Sequence, residues 1–330
     1  MNFRTEVENN ETFKIGYSDK ILMLGSCFTE YIGAKFSRAK LNVLVNPLGI
    51  MFNPESMAAT IDRAIDGAMV SSNELFCNNG LWCNYNFHGS FSSVDKTEAI
   101  QKMNLALNQA STIIKEATTL IITFGTAFVY KNIENNKVVA NCHKVASTNF
   151  TRSRLTVESI VERYTALINK LLLINPKIQI VLTVSPVRHL RDGAHQNQLS
   201  KSVLLLATEQ LTTQFNCVHY FPAYEIILDE LRDYRFYETD MVHPSGQAVE
   251  YIWELFSQRH FTSADIALMQ QIDKMQNAVD HRPINPKTND FQTFIKRQKQ
   301  ILDQLSSQNP QIDFTNEKKH WEQMSKIAAI

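Results

Sequence analysis

The stretch ILMLGSCF, residues 21–28, decides the fold. Its leading apolar residues form the continuous run that is typical of a strand buried on both faces. Gly25 then provides a sharp turn, because a residue without a side chain adopts unusual φ angles at little steric cost. The next segment, residues 29–40, spaces its apolar side chains as one face of a helix. Ser26 therefore lies where a first strand ends and a first helix begins.

The same strand-then-helix alternation continues through most of the chain. Further apolar, β-branched runs predict strands at 41–45, 119–124, 178–184 and 218–221. Helical spacing predicts helices at 29–40, 53–66, 97–115, 157–174, 199–215, 223–231 and 245–256. Strands that alternate with helices favour an α/β fold with a doubly wound parallel sheet. In such a sheet ligands bind at the carboxyl ends of the strands, which is where Ser26 lies.

Three segments fall outside this alternation. An edge strand is expected at 13–17, and a hairpin is expected at 129–140 around a turn at 134–136. Residues 71–93 alternate aromatic with polar side chains, which indicates either a hairpin or a loop over a site.

The composition changes beyond residue 260. Polar helical patterns at 263–278 and 289–305 predict a C-terminal helical extension that packs on the core or on a partner. A solvated tail is the alternative, because polar helices with few apolar anchors are marginal alone. We therefore expect one domain over residues 1–262 and a helical extension over residues 263–330.

Composition and charge exclude several classes of protein. The 330 residues carry 33 Lys+Arg and 33 Asp+Glu, so the chain lacks the net basic charge typical of nucleic-acid binding. No window of about 18 apolar residues occurs, so no membrane span is expected. The polar N-terminus has no apolar signal core, which favours a cytoplasmic location. The five cysteines are odd in number and show no zinc spacing, which favours reduced thiols and no metal site.

A second motif, DMVHPS at residues 240–245, lies far downstream. Its Asp240 and His243 are three residues apart and can lie on one side of a loop. A serine after the first strand followed late by Asp-x-x-His resembles the SGNH (GDSL-type) hydrolases. The closer resemblance is to the GSCFA-domain family, named for a Gly-Ser-Cys-Phe-Ala motif. Here residues 25–29 read GSCFT, with Thr29 in place of the alanine.

The resemblance spans roughly residues 15–260 and implies a fold and a chemistry. The fold is a three-layer, flavodoxin-like α/β sandwich around a parallel sheet. The chemistry is ester hydrolysis in which Ser26 attacks, His243 removes its proton, and Asp240 orients the imidazole. Without the resemblance, Gly-Ser is also a common capped turn, and Asp-x-x-His is also a helix cap beside a half-buried histidine.

Acyl transfer also needs hydrogen-bond donors for the oxyanion that forms in the transition state. The resemblance implies the backbone N–H of Ser26 and that of Gly49, which lies in the family's second motif. The SGNH hydrolases also carry a Gly-x-Asn motif, but this chain has Gly125-Thr126-Ala127 at the matching place. The usual asparagine is missing. Thr126 could replace it.

Two further residues are candidates for the missing donor. Asn141 and His143 follow the expected hairpin and could return to the same edge of the sheet. A plain polar loop is the alternative reading of this segment.

Arg188 and His189 follow the fourth predicted strand, so they are aimed at the same edge. They could bind an anionic or sugar-like group of the substrate. Alternatively, Arg188 pairs with a nearby carboxylate such as Asp192 or Glu225.

Cys27 is a rival nucleophile, because a helix N-terminus lowers the pKa of a thiol. Neighbouring residues of a turn point in different directions, so only one of Ser26 and Cys27 can face His243. The family analogy favours Ser26.

The expected function is hydrolysis of a small ester, such as an O-acetylated sugar or glycan fragment, without metal or cofactor. The substrate class rests on the resemblance. Acyl transfer to a sugar hydroxyl uses the same site and is one alternative. A non-catalytic binding module that keeps the fold is the other, favoured by the missing asparagine. The sequence gives no indication of oligomeric state.

Overall fold

The computed structural model describes residues 5–8 and 13–328. Its strands are β1 (Ile21–Gly25), β2 (Val43–Val45), β3 (Phe76–Asn78), β4 (Leu81–Cys83), β5 (Thr119–Phe124), β6 (Phe128–Asn132), β7 (Val138–Val139), β8 (Phe150–Arg154), β9 (Gln179–Val184) and β10 (Val218–Phe221). Its helices are α1 (Cys27–Arg38), α2 (Pro54–Ile65), α3 (Lys96–Glu116), α4 (Val157–Ile174), α5 (Ala194–Gln214), α6 (Ala223–Glu225), α7 (Gly246–His260), α8 (Ser263–Asp280), α9 (Asn289–Gln308) and α10 (Thr315–Ala328).

A five-stranded parallel sheet forms the centre, in the order β10-β9-β5-β1-β2. All residues of β1 and β5 are buried, which explains why their sequences are mostly apolar and contain no charged residue. Along β1 the side chains alternate between two apolar clusters: Leu22 and Leu24 join the one that includes α2 to α5, whereas Ile21 and Met23 join the one that includes α1, α6 and α7. The predicted α/β fold, with a parallel sheet between two helical layers, is confirmed.

Two small antiparallel sheets flank this core. The first is the hairpin β3–β4, so residues 71–93 contain the hairpin that was one of the two expected forms. The second contains the predicted hairpin β6–β7 and a strand that was not predicted, β8, which pairs with β6. The expected edge strand at 13–17 is wrong, because these residues pair with no strand; the N–H of Ile15 instead donates to the carbonyl of His260, 2.6 Å away.

The last three helices form their own apolar cluster, centred on residues such as Ile272, Leu302 and the buried Trp321. Helix α10 was not predicted. Arg38 of α1 joins this unit to the core through ion pairs with Asp273 (2.7 Å) and Asp280 (2.8 Å) of α8. The extension therefore packs on the core, and the solvated-tail alternative is wrong. The domain boundary at 262/263 stays a prediction.

Within the part of the chain that the structure describes, no helix combines the length and the apolar character needed to cross a bilayer.

Candidate active site

The site lies at the carboxyl edge of the sheet, where β1 gives way to α1. Gly25 has φ +148°, and a Cβ atom there would lie 2.4 Å from the carbonyl oxygen of Thr123. Only glycine fits this close approach without displacing β5. The N–H of Gly25 donates to the side-chain oxygen of the buried Asn46 at 2.9 Å, which ties the turn after β1 to the loop after β2. The turn that presents residues 26 and 27 is therefore held from both sides.

The Asp-x-x-His motif forms a compact loop just before α7. Oδ2 of Asp240 lies 2.7 Å from Nδ1 of His243, and Oδ1 accepts the N–H groups of Val242 (2.9 Å) and His243 (3.0 Å). Donation from the His243 backbone, then from its imidazole and from the Val242 N–H, lowers the pKa of Asp240 to about 2. Asp240 is therefore ionised at neutral pH, and a hydrogen on Nδ1 leaves Nε2 of His243 free to accept a proton.

The side chain that faces this nitrogen belongs to Cys27. Its sulfur lies 3.6 Å from Nε2 of His243, within the range of a hydrogen bond that involves sulfur. Cys27 is the first residue of α1 and is half-buried. Helical side chains tilt towards the helix N-terminus, so this position projects over the end of the helix towards the loop of His243. Cys27, His243 and Asp240 thus form a continuous chain of contacts.

Burial raises the pKa of the Cys27 thiol, against the opposing effects of the N–H groups of Cys27 and Phe28 and of the Lys201 ammonium. The thiol therefore stays protonated at neutral pH, and becomes a nucleophile only when a base removes its proton. Nε2 of His243 is positioned to be that base.

Ser26 is placed differently from the sequence-based expectation. It is the extended N-cap residue of α1, its side chain is fully buried, and its hydroxyl makes no hydrogen bond with any residue that the structure describes. Its N–H donates to the carbonyl of Thr123 at 3.4 Å. The expected contact between the Ser26 hydroxyl and His243 is therefore absent. The argument that only one of the two neighbours can face His243 holds, but that neighbour is Cys27.

The expected donors at Gly49, Gly125 and Thr126 are already engaged. The N–H of Gly49 donates to the carbonyl of Asn46 at 2.8 Å. The N–H groups of Gly125 and Thr126 both donate to the carbonyl of Phe52, at 2.8 and 2.9 Å.

The Thr126 hydroxyl is engaged as well. It lies 3.1 Å from the hydroxyl of Ser200 and accepts the N–H of Phe128. These residues form the edge of the sheet, and their N–H and hydroxyl groups make hydrogen bonds within the fold instead of facing a substrate.

The side chains of Asn141 and His143 lie in different surroundings. Asn141 lines a cavity beside the site, and its side-chain oxygen accepts the N–H of His143 at 2.8 Å. The His143 imidazole lies instead under the β3–β4 hairpin, where Nε2 is 2.8 Å from the carbonyl of Asn84 and burial lowers its pKa. Of the two candidates for the missing donor, Asn141 faces the cavity and His143 supports the loop.

Arg188 and His189 both line the same cavity. The N–H of Arg188 donates to the carbonyl of Val242 at 3.3 Å, which connects it to the loop of the catalytic candidates. Burial, then the charges of Lys201 and His243, lowers the pKa of His189 to about 4, so its imidazole is neutral at pH 7.

Among residues 5–8 and 13–328, Arg188 makes no ion pair with Asp192, Glu225 or any other carboxylate. Asp192 pairs with Arg152, and Glu225 accepts the hydroxyl of Tyr220.

The cavity has a volume of about 600 Å³. Aromatic rings and polar groups share its wall, which includes Phe52, Phe128, Tyr130, Asn141, Arg188 and Val242. Val242, the chain neighbour of His243, lines the cavity and accepts the N–H of Arg188, so the cavity adjoins the loop that carries His243.

Lys201 is a site residue that the sequence analysis missed. Its side chain is fully buried, and its amine donates to the carbonyls of Gly125 and Ser185, both at 2.7 Å. These carbonyls follow β5 and β9, so Lys201 links the carboxyl ends of two neighbouring strands, of which β5 lies next to β1. Burial lowers its pKa to about 7, against a small opposing effect of Cys27. The signal was present, because Lys201 lies on the apolar face of α5 with Leu204, Thr208 and Leu211.

Within residues 5–8 and 13–328, no group of three or more His, Cys, Asp or Glu side chains could hold a metal ion.

A family model now identifies the chain. The GSCFA family model matches residues 20–256, from β1 through the Asp-x-x-His loop and into α7. The chain belongs to the GSCFA family. The model of the GSCFA C-terminal domain matches residues 272–327, which lie in the helical extension.

Other comparisons are more distant. No curated protein matches the sequence of this GSCFA protein. Among solved structures, an acetyl xylan esterase (Est2A) from the rumen bacterium Butyrivibrio proteoclasticus is 12% identical with a TM-score of 0.38; the match covers 80% of this chain and 65% of the esterase, just under two thirds. A carbohydrate esterase family 3 structure from Talaromyces cellulolyticus is 12% identical with a TM-score of 0.33, over 78% of this chain and 99% of that one. The structure of an acetyl esterase mutant with acetate ion is 11% identical with a TM-score of 0.33, over 77% of this chain and 99% of that one. TM-scores this low carry no argument about function.

Proposed function

We propose that this GSCFA protein hydrolyses small carboxylic esters through a thioester intermediate on Cys27. The observation that carries the proposal is the 3.6 Å contact between the Cys27 sulfur and Nε2 of His243, with Asp240 on the other ring nitrogen at 2.7 Å. This is the arrangement of a nucleophile, a general base and a group that orients the base.

In the first half-reaction the thiol proton passes to Nε2 of His243 as the sulfur bonds to the ester carbonyl carbon. Asp240 stabilises the imidazolium that forms. The tetrahedral intermediate then collapses, the bond to the alkoxy oxygen breaks, and that oxygen takes the proton from His243. The products are an alcohol and a thioester on Cys27.

In the second half-reaction, water gives a proton to His243 and attacks the thioester. The carbon–sulfur bond breaks, the sulfur recovers its proton, and the carboxylic acid leaves. The His243 side chain keeps 33% of its exposure, so water has access to the base. That access favours hydrolysis over transfer to a second alcohol.

The oxyanion needs donors other than Gly49 and Thr126. The N–H groups of Cys27 and Phe28 lie against the Cys27 sulfur and act on its pKa. They belong to the first turn of α1, where N–H groups have no intrahelical partner and the helix dipole favours negative charge. These two N–H groups are the donors we assign. The aromatic and polar wall of the cavity suits an acylated carbohydrate, which stays part of the proposal.

The test is turnover of 4-nitrophenyl acetate by matched variants. We expect Cys27→Ala and His243→Ala to lose at least 100-fold in kcat/KM, because each removes a group needed in every turnover. Ser26→Ala should stay within tenfold of the wild type, since the hydroxyl is buried and makes no hydrogen bond. Cys77→Ala is the control, because this exposed thiol lies on the β3–β4 hairpin. Full activity in Cys27→Ala with loss in Ser26→Ala would return the serine assignment.

A further inference from the structure

The cavity beside the site carries an excess of positive charge. Three arginines line it, Arg152, Arg188 and Arg191, and none of the described residues that line it is Asp or Glu. Arg152 is neutralised by its ion pair with Asp192. Within the described part of the chain, the other two, Arg188 and Arg191, make no ion pair with a carboxylate, so two guanidinium groups in the wall of this cavity of about 600 Å³ keep their charge unneutralised.

Arg188 is the deeper of the two. Among the described residues it makes no ion pair, and its Nε is buried without a hydrogen-bond partner. Its guanidinium lies 5.8 Å from the centre of the Tyr237 ring, which lines a second, smaller cavity that Arg188 also borders, and its backbone N–H donates to the carbonyl of Val242, the neighbour of His243. A buried donor without a partner is unfavourable, so this group has unused binding capacity.

Arg191 is exposed and is held by a neutral partner. Its guanidinium donates to the Tyr130 hydroxyl at 2.7 Å and lies 5.8 Å from the centre of the same ring. The Arg152 guanidinium lies 5.3 Å from the same ring centre. Contacts with an aromatic ring orient a guanidinium without neutralising its charge.

We propose that Arg188 and Arg191 bind an oxyanion, a carboxylate or a phosphate, on the substrate at a distance from the ester carbonyl that Cys27 attacks. Guanidinium groups bind such oxyanions through paired, charge-assisted hydrogen bonds. The inference rests on the proposed function in one respect only, because it names the substrate class of that same site. An ester of a sugar acid or of a phosphorylated alcohol fits this description.

A cysteine in the cavity wall allows anion binding to be measured by alkylation. Cys142 lines the cavity, and burial raises the pKa of its thiol against the smaller opposing effect of the Arg191 charge. Alkylation of Cys142 requires no ester turnover. The ratio of its rate with iodoacetate to its rate with iodoacetamide measures attraction of an anion into the cavity, since both reagents need the same thiolate.

The experiment follows this ratio by peptide mass spectrometry at low ionic strength. We expect the ratio to fall at least fivefold in Arg188→Gln/Arg191→Gln, because two positive charges leave the wall. Arg154→Gln is the matched control, since Arg154 is exposed on β8 and does not line the cavity; its ratio should stay within twofold of the wild type. If the double variant loses its fold, the exposed Arg191→Gln alone should still lower the ratio at least twofold.

Protection distinguishes the two oxyanions. Glutarate should slow iodoacetamide labelling of Cys142 if the site takes a carboxylate, and glycerol phosphate should do so if it takes a phosphate; both effects should vanish in Arg188→Gln/Arg191→Gln. A ratio that does not change in this folded variant, with no protection by either anion, overturns the inference even if esters are hydrolysed. A fall in the ratio without any ester turnover keeps the anion site and refutes the proposed function instead.

Discussion

Replacement of Lys201 by methionine is the sharpest stability test of the site. Burial lowers the pKa of this amine from its ordinary value of 10.5 to about 7. The unfolded chain therefore binds a proton that the folded chain releases between pH 7 and 10.5, so stability rises with pH across this window. By linkage, the depressed pKa costs about 4 kcal/mol at pH 7 and about 2 kcal/mol at pH 9.

The free energy of unfolding of the wild type should therefore rise by about 2 kcal/mol more between pH 7 and 9 than that of Lys201→Met. At pH 7 the variant avoids the burial cost but leaves the carbonyls of Gly125 and Ser185 without their donor, at about 1–3 kcal/mol each. These effects oppose each other, so the pH slope is the informative quantity. Urea unfolding at the two pH values measures it, with the exposed Lys177→Met as control.

The same variant should slow alkylation of Cys27 by iodoacetamide near neutral pH, because Lys201 lowers the pKa of that thiol. Parallel stability curves for wild type and Lys201→Met between pH 7 and 9 would refute the account of Lys201 as a buried amine that loses its proton near neutrality.

Three further predictions address the loop, the core and the turn. Asp240→Asn should keep the fold but lower kcat on 4-nitrophenyl acetate at least tenfold, because the amide favours the wrong imidazole tautomer. A loss below threefold would mean that Asp240 only accepts the N–H groups of its loop and does not orient the imidazole. His260 is buried 4.5 Å from the Phe256 ring, and burial lowers its pKa from 6.5 to about 3. As pH falls, the unfolded chain binds a proton at this histidine before the folded chain does, so the free energy of unfolding of the wild type should fall by about 2 kcal/mol between pH 7 and 5. His260→Phe should not show this loss in urea unfolding, and equal losses in the two proteins would contradict the prediction. Gly25→Ala should cost at least about 2 kcal/mol by clash with Thr123, whereas Gly246→Ala, which meets no atom within 4 Å, should not; similar melting temperatures would contradict the strained turn.

The central sheet was predictable from the sequence, because strands that are buried on both faces need mostly apolar residues. β1, β5 and β9 are rich in apolar and β-branched residues, and the helices between them show helical spacing of their apolar residues. β8, with the sequence FTRSR, was missed because a mostly exposed strand with a single partner has no apolar run. α10 was missed because it is a polar helix that packs chiefly through Trp321.

The site divides in the same way between local and non-local information. The contact of Asp240 with His243 was predictable, since three residues of one loop determine it. The choice between Ser26 and Cys27 was not, because it depends on the backbone angles of one residue at a strand-to-helix turn. The role of Thr126 was also hidden, because the carbonyl of Phe52 that accepts its N–H lies far away in the sequence.

The central claim is that Cys27 carries the acyl group, and a trapped intermediate tests it most directly. The protein would be mixed with 4-nitrophenyl acetate, quenched in acid and digested, and the peptide that contains residues 26 and 27 would be fragmented between them. We predict an acetyl group on the Cys27 sulfur that neutral hydroxylamine removes, that Ser26→Ala retains, and that His243→Ala accumulates at least 100-fold more slowly. An acetyl group on the Ser26 oxygen, or none on either residue while the ester is turned over, would contradict the account.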